Sequence, residues 1–234
     1  MIIVLAILFL WNLFLQYVAS VLVSDIVTDS TSAPGSRWSG LHQPNSFLSM
    51  FPWIAVIGTI FMYLLVQTCN AYFLPSYFIF FSALLITIGT DWHTFMISRF
   101  VSLFLIPVGV LLSMIGMLPV SPIESIIASI VSYGALRGVS SLFYVITKKD
   151  GMGEGDWELF AFTGSFIGLI GNWFTITVGS ILGTLFGLGY LLYRGPTSTE
   201  KMIIPFGPFL AVASMLFILL NEKLSLLTML VATF

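Results

Sequence analysis

Residues 99–147 read RFVSLFLIPVGVLLSMIGMLPVSPIESIIASIVSYGALRGVSSLFYVIT. An apolar run from Arg99 to Pro119 is followed by a short break and a second run from Ile123 to Thr147, and Arg99, Glu124 and Arg137 are the charged side chains in the whole stretch. A helix of about 20 predominantly apolar residues crosses a hydrocarbon core of about 30 Å. Each run is long enough for one crossing, so the stretch predicts a membrane hairpin of two helices.

Working outward, the same count finds runs at Met1–Val23, Phe51–Cys69, Tyr72–Thr90, Leu159–Trp173, Phe174–Arg194 and Pro205–Leu220. The expectation is an all-α polytopic membrane protein with about eight transmembrane helices. Its weakest division is between the sixth and seventh runs, where Gly171-Asn172-Trp173 is the one place a turn fits. The alternative is a single long tilted helix and seven spans.

Composition points the same way. Of 234 residues, 58% are hydrophobic and 8% charged, against about 45–50% and 25% in soluble domains, and the mean hydropathy is +1.06. That excludes a soluble globule and makes membrane lipids the main surroundings. Eight Lys and Arg against ten Asp and Glu leave a net charge of -2, which offers no basic surface for nucleic acid. The single cysteine, Cys69, excludes an intrachain disulfide and a zinc site built from cysteine pairs.

Three regions follow: a first transmembrane helix at 1–23, a short irregular loop at 24–50 and a seven-helix membrane domain at 51–234. The first run has no Lys/Arg-rich leader and no A-x-A site, so it reads as a retained helix. Arg37, Arg99, Lys148, Lys149, Arg194 and Lys201 all fall in odd-numbered connections. Positively charged loops stay on the cytoplasmic side, which puts those connections, including the 24–50 loop, in the cytoplasm and both termini opposite.

Carboxylates in so apolar a chain are costly unless used. Asp91 closes the third run and Asp156 opens the sixth, and the two intervening crossings return the chain to the same side. Two carboxyls close together in a partly dry site do not both ionise cheaply; one keeps a proton and the other acts as a base. Such a pair can activate water against a peptide carbonyl, with the protonated partner hydrogen-bonding the developing oxyanion. Neither a metal nor a covalent intermediate is needed.

Asp156 ends the run Gly151-Met152-Gly153-Glu154-Gly155-Asp156. Glycine permits unusual backbone conformations and close approach of another chain, so Gly153 and Gly155 read as shaping an active-site loop, with a plain flexible turn as the alternative. His93 reads as an interfacial residue, Glu124 as flanking the fifth span, and Arg137 as an intramembrane cation whose partner the sequence does not name.

This run, followed by Trp157-Glu158-Leu159, Gly164 and Gly168, resembles the second aspartate motif of the type IV prepilin peptidases, G-x-G-D intramembrane aspartic proteases. In their first motif an aspartate is followed six residues later by Ile-Pro; here Asp91 is followed by Ile97 and Ser98. The stretch Ile204–Leu210 is similar to the family's opening of its last helix. The resemblance implies an aspartic endopeptidase of the bacterial inner membrane. It would cleave short leaders from prepilins or type II secretion pseudopilins at the cytoplasmic face, with Asp91 and Asp156 as its catalytic residues.

Some features depart from the family pattern. Family members commonly carry two Cys-x-x-Cys pairs holding zinc after the first helix, in a segment linked to N-methylation by S-adenosylmethionine. Here Trp38 stands at the first cysteine position and no Cys-x-x-Cys pair follows, so neither zinc nor S-adenosylmethionine is carried over. Glu158 replaces a usual lysine and brings a negative charge near Asp156. Two other readings stay open: an ion- or proton-coupled transporter using the aspartates, and a catalytically silent homologue.

Overall fold

A computed structural model describes residues 2–31, 44–94, 97–148, 151–194 and 204–232; for 24–31, 44–52 and 224–232, and at His93, Arg99, Phe100 and Arg194, it describes the backbone alone. Every regular element among them is helical: α1 (Ile2–Thr31), α2 (Pro44–Thr68), α3 (Leu74–Thr94), α4 (Arg99–Met114), α5 (Pro122–Thr147), α6 (Glu154–Arg194) and α7 (Gly207–Ala232). The all-α expectation holds. Arg37, Lys149 and Lys201, which carry part of the orientation argument, and the Pro34–Ser39 stretch lie outside the described residues.

The irregular loop expected at 24–50 is narrower than its composition indicated. Helix α1 runs on through Ser24–Thr31, and α2 already begins at Pro44. The first of these stretches contains no Gly or Pro to stop a helix, and Pro suits the first turn, where an N–H would have no partner within the helix.

The expected count of about eight crossings is not confirmed. Among the described residues there are seven helical elements, α6 being two arms joined at a break, and four segments are long and apolar enough to cross a membrane: Ile2–Val23, Leu74–Trp92, Pro122–Thr147 and Glu154–Tyr193; Trp53–Thr68 and Val101–Met114 are shorter apolar helices. The turn expected at Gly171–Trp173 is absent, because those residues are helical. The chain instead breaks at Gly168, whose φ of 72° and ψ of -176° are not helical.

That break is a reversal. Asn172 Nδ2 donates to the Phe160 carbonyl at 2.7 Å, whereas twelve residues of straight helix would separate the two by about 18 Å. The arms 154–167 and 169–194 therefore fold back on each other. Asn172 also donates to Ser132 Oγ of α5 at 2.6 Å, tying three helical segments together.

Small residues allow this density, as expected where lipid removes the hydrophobic drive between helices and packing must hold them. A Cβ on Gly164 would lie 2.9 Å from the Ala128 carbonyl. Beside it α5 buries Ser125, Ala128, Ser129 and Ser132, and Ser125 Oγ donates to the Ser165 carbonyl at 2.7 Å. On the other side of the first arm, Phe80 of α3 stacks on Phe166 at 4.9 Å and meets Phe162 at 5.2 Å between centroids. The second arm packs antiparallel to α7, with Thr175 Oγ1 and Ser214 Oγ 3.3 Å apart and Gly179 against the backbone of Leu210.

Candidate active site

Asp91 lies in the last turn of α3 and is 4% exposed. Its carboxylate meets the first residue of α7: the Gly207 N–H donates to Asp91 Oδ2 at 3.0 Å. The first N–H groups of a helix have no partner within it, so the start of α7 presents a donor where α3 ends in an acceptor. A Cβ at Gly207 would sit 2.6 Å from Asp91 Oδ2. Only glycine permits the approach, which gives a direct test: Gly207→Val should displace the carboxylate and lower kcat/KM for peptide cleavage by about 10²-fold, the effect of a misplacement of roughly 1 Å. An unchanged rate in a folded Gly207→Val protein would remove Gly207 from the site.

Asp156 is the third residue of α6 and is half-buried. Its own N–H donates to the Gly153 carbonyl at 3.2 Å, and its carboxylate accepts the Gly153 N–H. This is one half of a capping box, in which the side chain at the third helical position reaches back to the residue before the helix. The carboxylate is thus oriented by its own helix start.

The structure brings these two expected residues together, with the Asp156 charge close enough to act on Asp91. Ile97 is the spacer between them. A Cβ on Gly155 would lie 2.9 Å from Ile97 Cβ, and one on Gly207 would lie 3.0 Å from Ile97 Cδ1, so both helix starts pack against this one side chain.

Of the glycines expected to shape the loop, Gly155 is held to its size by Ile97. Gly153 has room, since a Cβ there would be 3.6 Å from Asp156 Oδ2. Gly151, not singled out from sequence, is constrained instead: a Cβ would meet the Phe143 ring at 2.5 Å. Among the described glycines, positive φ occurs at Gly116 and Gly168, so this loop uses glycine for close approach and not for left-handed backbone.

Two departures from the expected motifs look different in three dimensions. Ser98, where a proline was expected, precedes α4 with φ of -64°, close to the value to which a proline ring locks its own backbone. Glu158 is buried and projects about 200° around the helix from Asp156, so it does not share that carboxylate's face. Arg137 gains the partners the sequence could not name: its Nη1 donates to Tyr133 Oη at 3.2 Å, and its guanidinium lies 5.9 Å from the centroids of both Tyr133 and Trp157.

The donor set for zinc does not fit. Cys69, the single cysteine of the chain, follows α2 just ahead of α3, at the opposite end of α3 from Asp91. Among the described residues no three His, Cys, Asp or Glu side chains gather as metal ligands.

The signal missed in the sequence was Gly207. It lies in the stretch Ile204–Leu210, noted only for its resemblance; that its amide would meet Asp91 depends on contact between segments 116 positions apart.

Comparison with known proteins gives a family for the region that carries the aspartates. The profile of the type IV leader peptidase family matches residues 78–190, a span that holds both aspartates and the glycine loop but not Gly207. Similar relatives include the prepilin leader peptidase/N-methyltransferase of Aeromonas salmonicida, 30% identical over 44% of this chain and 34% of its own. Those of Pseudomonas putida, 33% identical over 43% of this chain and 34% of its own, and Legionella pneumophila, 38% identical over 36% and 29%, are similar too. The chain thus aligns with about a third of the length of these relatives. No solved structure matches it. With both aspartate motifs in order, the region 78–190 is similar to the type IV leader peptidase family.

Proposed function

We propose that this protein is a membrane aspartic endopeptidase that removes short leader peptides from prepilin-like proteins. The observation that carries the reading is that Asp91 and Asp156 are each held by a backbone N–H at the start of a helix, with both helix starts packed on Ile97. One carboxylate takes a proton from water as the water oxygen bonds to the scissile carbonyl carbon. The protonated partner donates to the carbonyl oxygen, and proton transfer to the leaving amine completes cleavage. The C–O bond forms and the C–N bond breaks while the carboxyls pass protons between water, the carbonyl oxygen and the leaving amine, so the chemistry requires no metal from this chain.

Substrate class comes from the relatives' names, which specify prepilin leaders. Inner-membrane placement with the site on the cytoplasmic face is supported by the distribution of Lys and Arg, and pilins or type II secretion pseudopilins are the fitting partners. N-methylation is not part of the reading, because the cysteine-bearing segment has no counterpart in the sequence. The similarity to leader peptidases counts against ion transport as an alternative.

The test is product mass. Purified protein incubated with a prepilin-like substrate should yield the mature chain cut after the leader, without the added mass of a methyl group when S-adenosylmethionine is supplied. No cleavage by the folded protein across several such substrates would sink the reading.

A further inference from the structure

Helix α1 lies outside the stretch similar to the leader peptidases, 78–190, yet it buries two amide side chains, Asn12 at 0% and Gln16 at 1% exposure. They are one turn apart and share a face, and a glycine of a neighbouring helix receives each. A Cβ on Gly58 of α2 would meet Asn12 Oδ1, and one on Gly89 of α3 would lie 2.8 Å from Gln16 Oε1. Trp11 Nε1 donates to Ser82 Oγ at 3.1 Å, which sets the same register between α1 and α3 two turns earlier.

Hydrogen bonding does not account for Gln16. Asn12 Nδ2 donates to the Leu8 carbonyl at 2.8 Å and to Thr59 Oγ1 at 3.4 Å, but Gln16 Nε2 is buried without a partner, and an unpaired buried donor costs stability. What Gln16 supplies is reach to one particular turn. Gly89 stands two residues before Asp91, about 200° around α3. Gln16 therefore backs the last turn of α3 on the side away from Asp91, while on the other side the Gly207 N–H holds Asp91 Oδ2 at 3.0 Å. The turn that carries the carboxylate is held between α1 and α7.

We infer that Gln16 is a positioning residue: the length of its side chain sets how far the last turn of α3 stands from α1, and thereby where Asp91 lies relative to Asp156. The inference rests on the peptidase reading. It makes the first helix part of the catalytic unit and not only a membrane anchor. Because Gln16 touches α3 behind the carboxylate, it acts on kcat and leaves KM alone.

Variants of graded length, assayed on a prepilin-like substrate in lipid nanodiscs, test this. Gln16→Met keeps the length without the amide and should keep kcat. Gln16→Asn keeps the amide but is one methylene shorter; it should lower kcat by about tenfold with KM unchanged, against about 10²-fold for a full 1 Å misplacement, and Gln16→Ala should lower it further. Asn12→Ala removes the other buried amide without touching Gly89, so it should lower the unfolding midpoint and keep kcat. A kcat that follows the amide, with Gln16→Asn above Gln16→Met, overturns the inference. So do equal losses in Asn12→Ala and Gln16→Ala, the signature of stability alone. If the shortened variants do not fold, Gly89→Ala decides, since its Cβ pushes the same turn off Gln16: a lower kcat at unchanged KM is expected, and a wild-type kcat overturns the inference. Wild type that cleaves no such substrate overturns the peptidase reading itself, and this inference with it.

Discussion

Asp91→Asn and Asp156→Asn should each lower kcat/KM for leader cleavage by about 10²–10⁴-fold, the contribution of a positioned acid or base, while leaving the protein folded. The amide keeps the shape of the carboxyl but neither takes up nor releases the proton that the mechanism moves. In Asp91→Asn the side-chain amide oxygen would still accept from the Gly207 N–H, which in the wild type lies 3.0 Å from Asp91 Oδ2, so the loss should come from chemistry and not from opening of the site. The double variant should be scarcely worse than either single one, because residues that act as a unit are not additive. Rates are read by single-turnover cleavage of a labelled substrate, with the unfolding midpoint in detergent as the folding check. Additive losses in the double variant would mean that the two carboxyls do not work as a pair.

Gly168→Ala should be strongly destabilising for a single added methyl. With φ at 72° and ψ at -176°, residue 168 occupies a region open almost only to glycine, and a side chain there costs about 1–3 kcal/mol in the backbone alone. The added Cβ would also lie 2.5 Å from Glu124 Oε1. The Glu124 tip can swing aside, so Glu124→Ala in the same chain should restore only a small part of the loss. The expected result is a lower unfolding midpoint, together with lost activity, since the reversal at Gly168 sets how the first arm presents Asp156 and how the second arm meets α7. A midpoint equal to wild type would show that the chain reverses without needing this backbone conformation.

Much of the site was legible because charge is scarce. In a chain where 8% of residues are charged, two aspartates at the ends of apolar runs stand out, and counting crossings puts them on one side. Gly155 was legible for a related reason: a glycine in the first turn of a helix is needed only if something approaches it closely, and Ile97 does. Gly153 contributes through its backbone, which pairs with Asp156, and not through close packing.

The reversal inside α6 was misplaced because the sequence signal for a turn is compositional. Gly171-Asn172 has the composition of a turn, yet Asn172 directs its side-chain amide to Phe160 and Ser132. It locks the hairpin after the bend and does not make it. Gly168, flanked by Ile167 and Leu169, carries no local mark, and its neighbours Glu124 and Val120 come from far back in the chain. The 24–50 loop was overestimated for a parallel reason: polar composition reports on solvent and not on backbone, and helices α1 and α2 extend into it.

By itself, the sequence determined that this protein is helical and belongs in a membrane, and it marked Asp91 and Asp156, because run length, hydropathy and isolated charge are properties of a chain read one segment at a time. Tertiary structure alone decided that Gly207 donates to Asp91, that Ile97 spaces the two helix starts and that α6 folds back at Gly168. Each of those depends on an approach between distant segments closer than any side chain larger than hydrogen permits, and such distances exist only once the helices have packed.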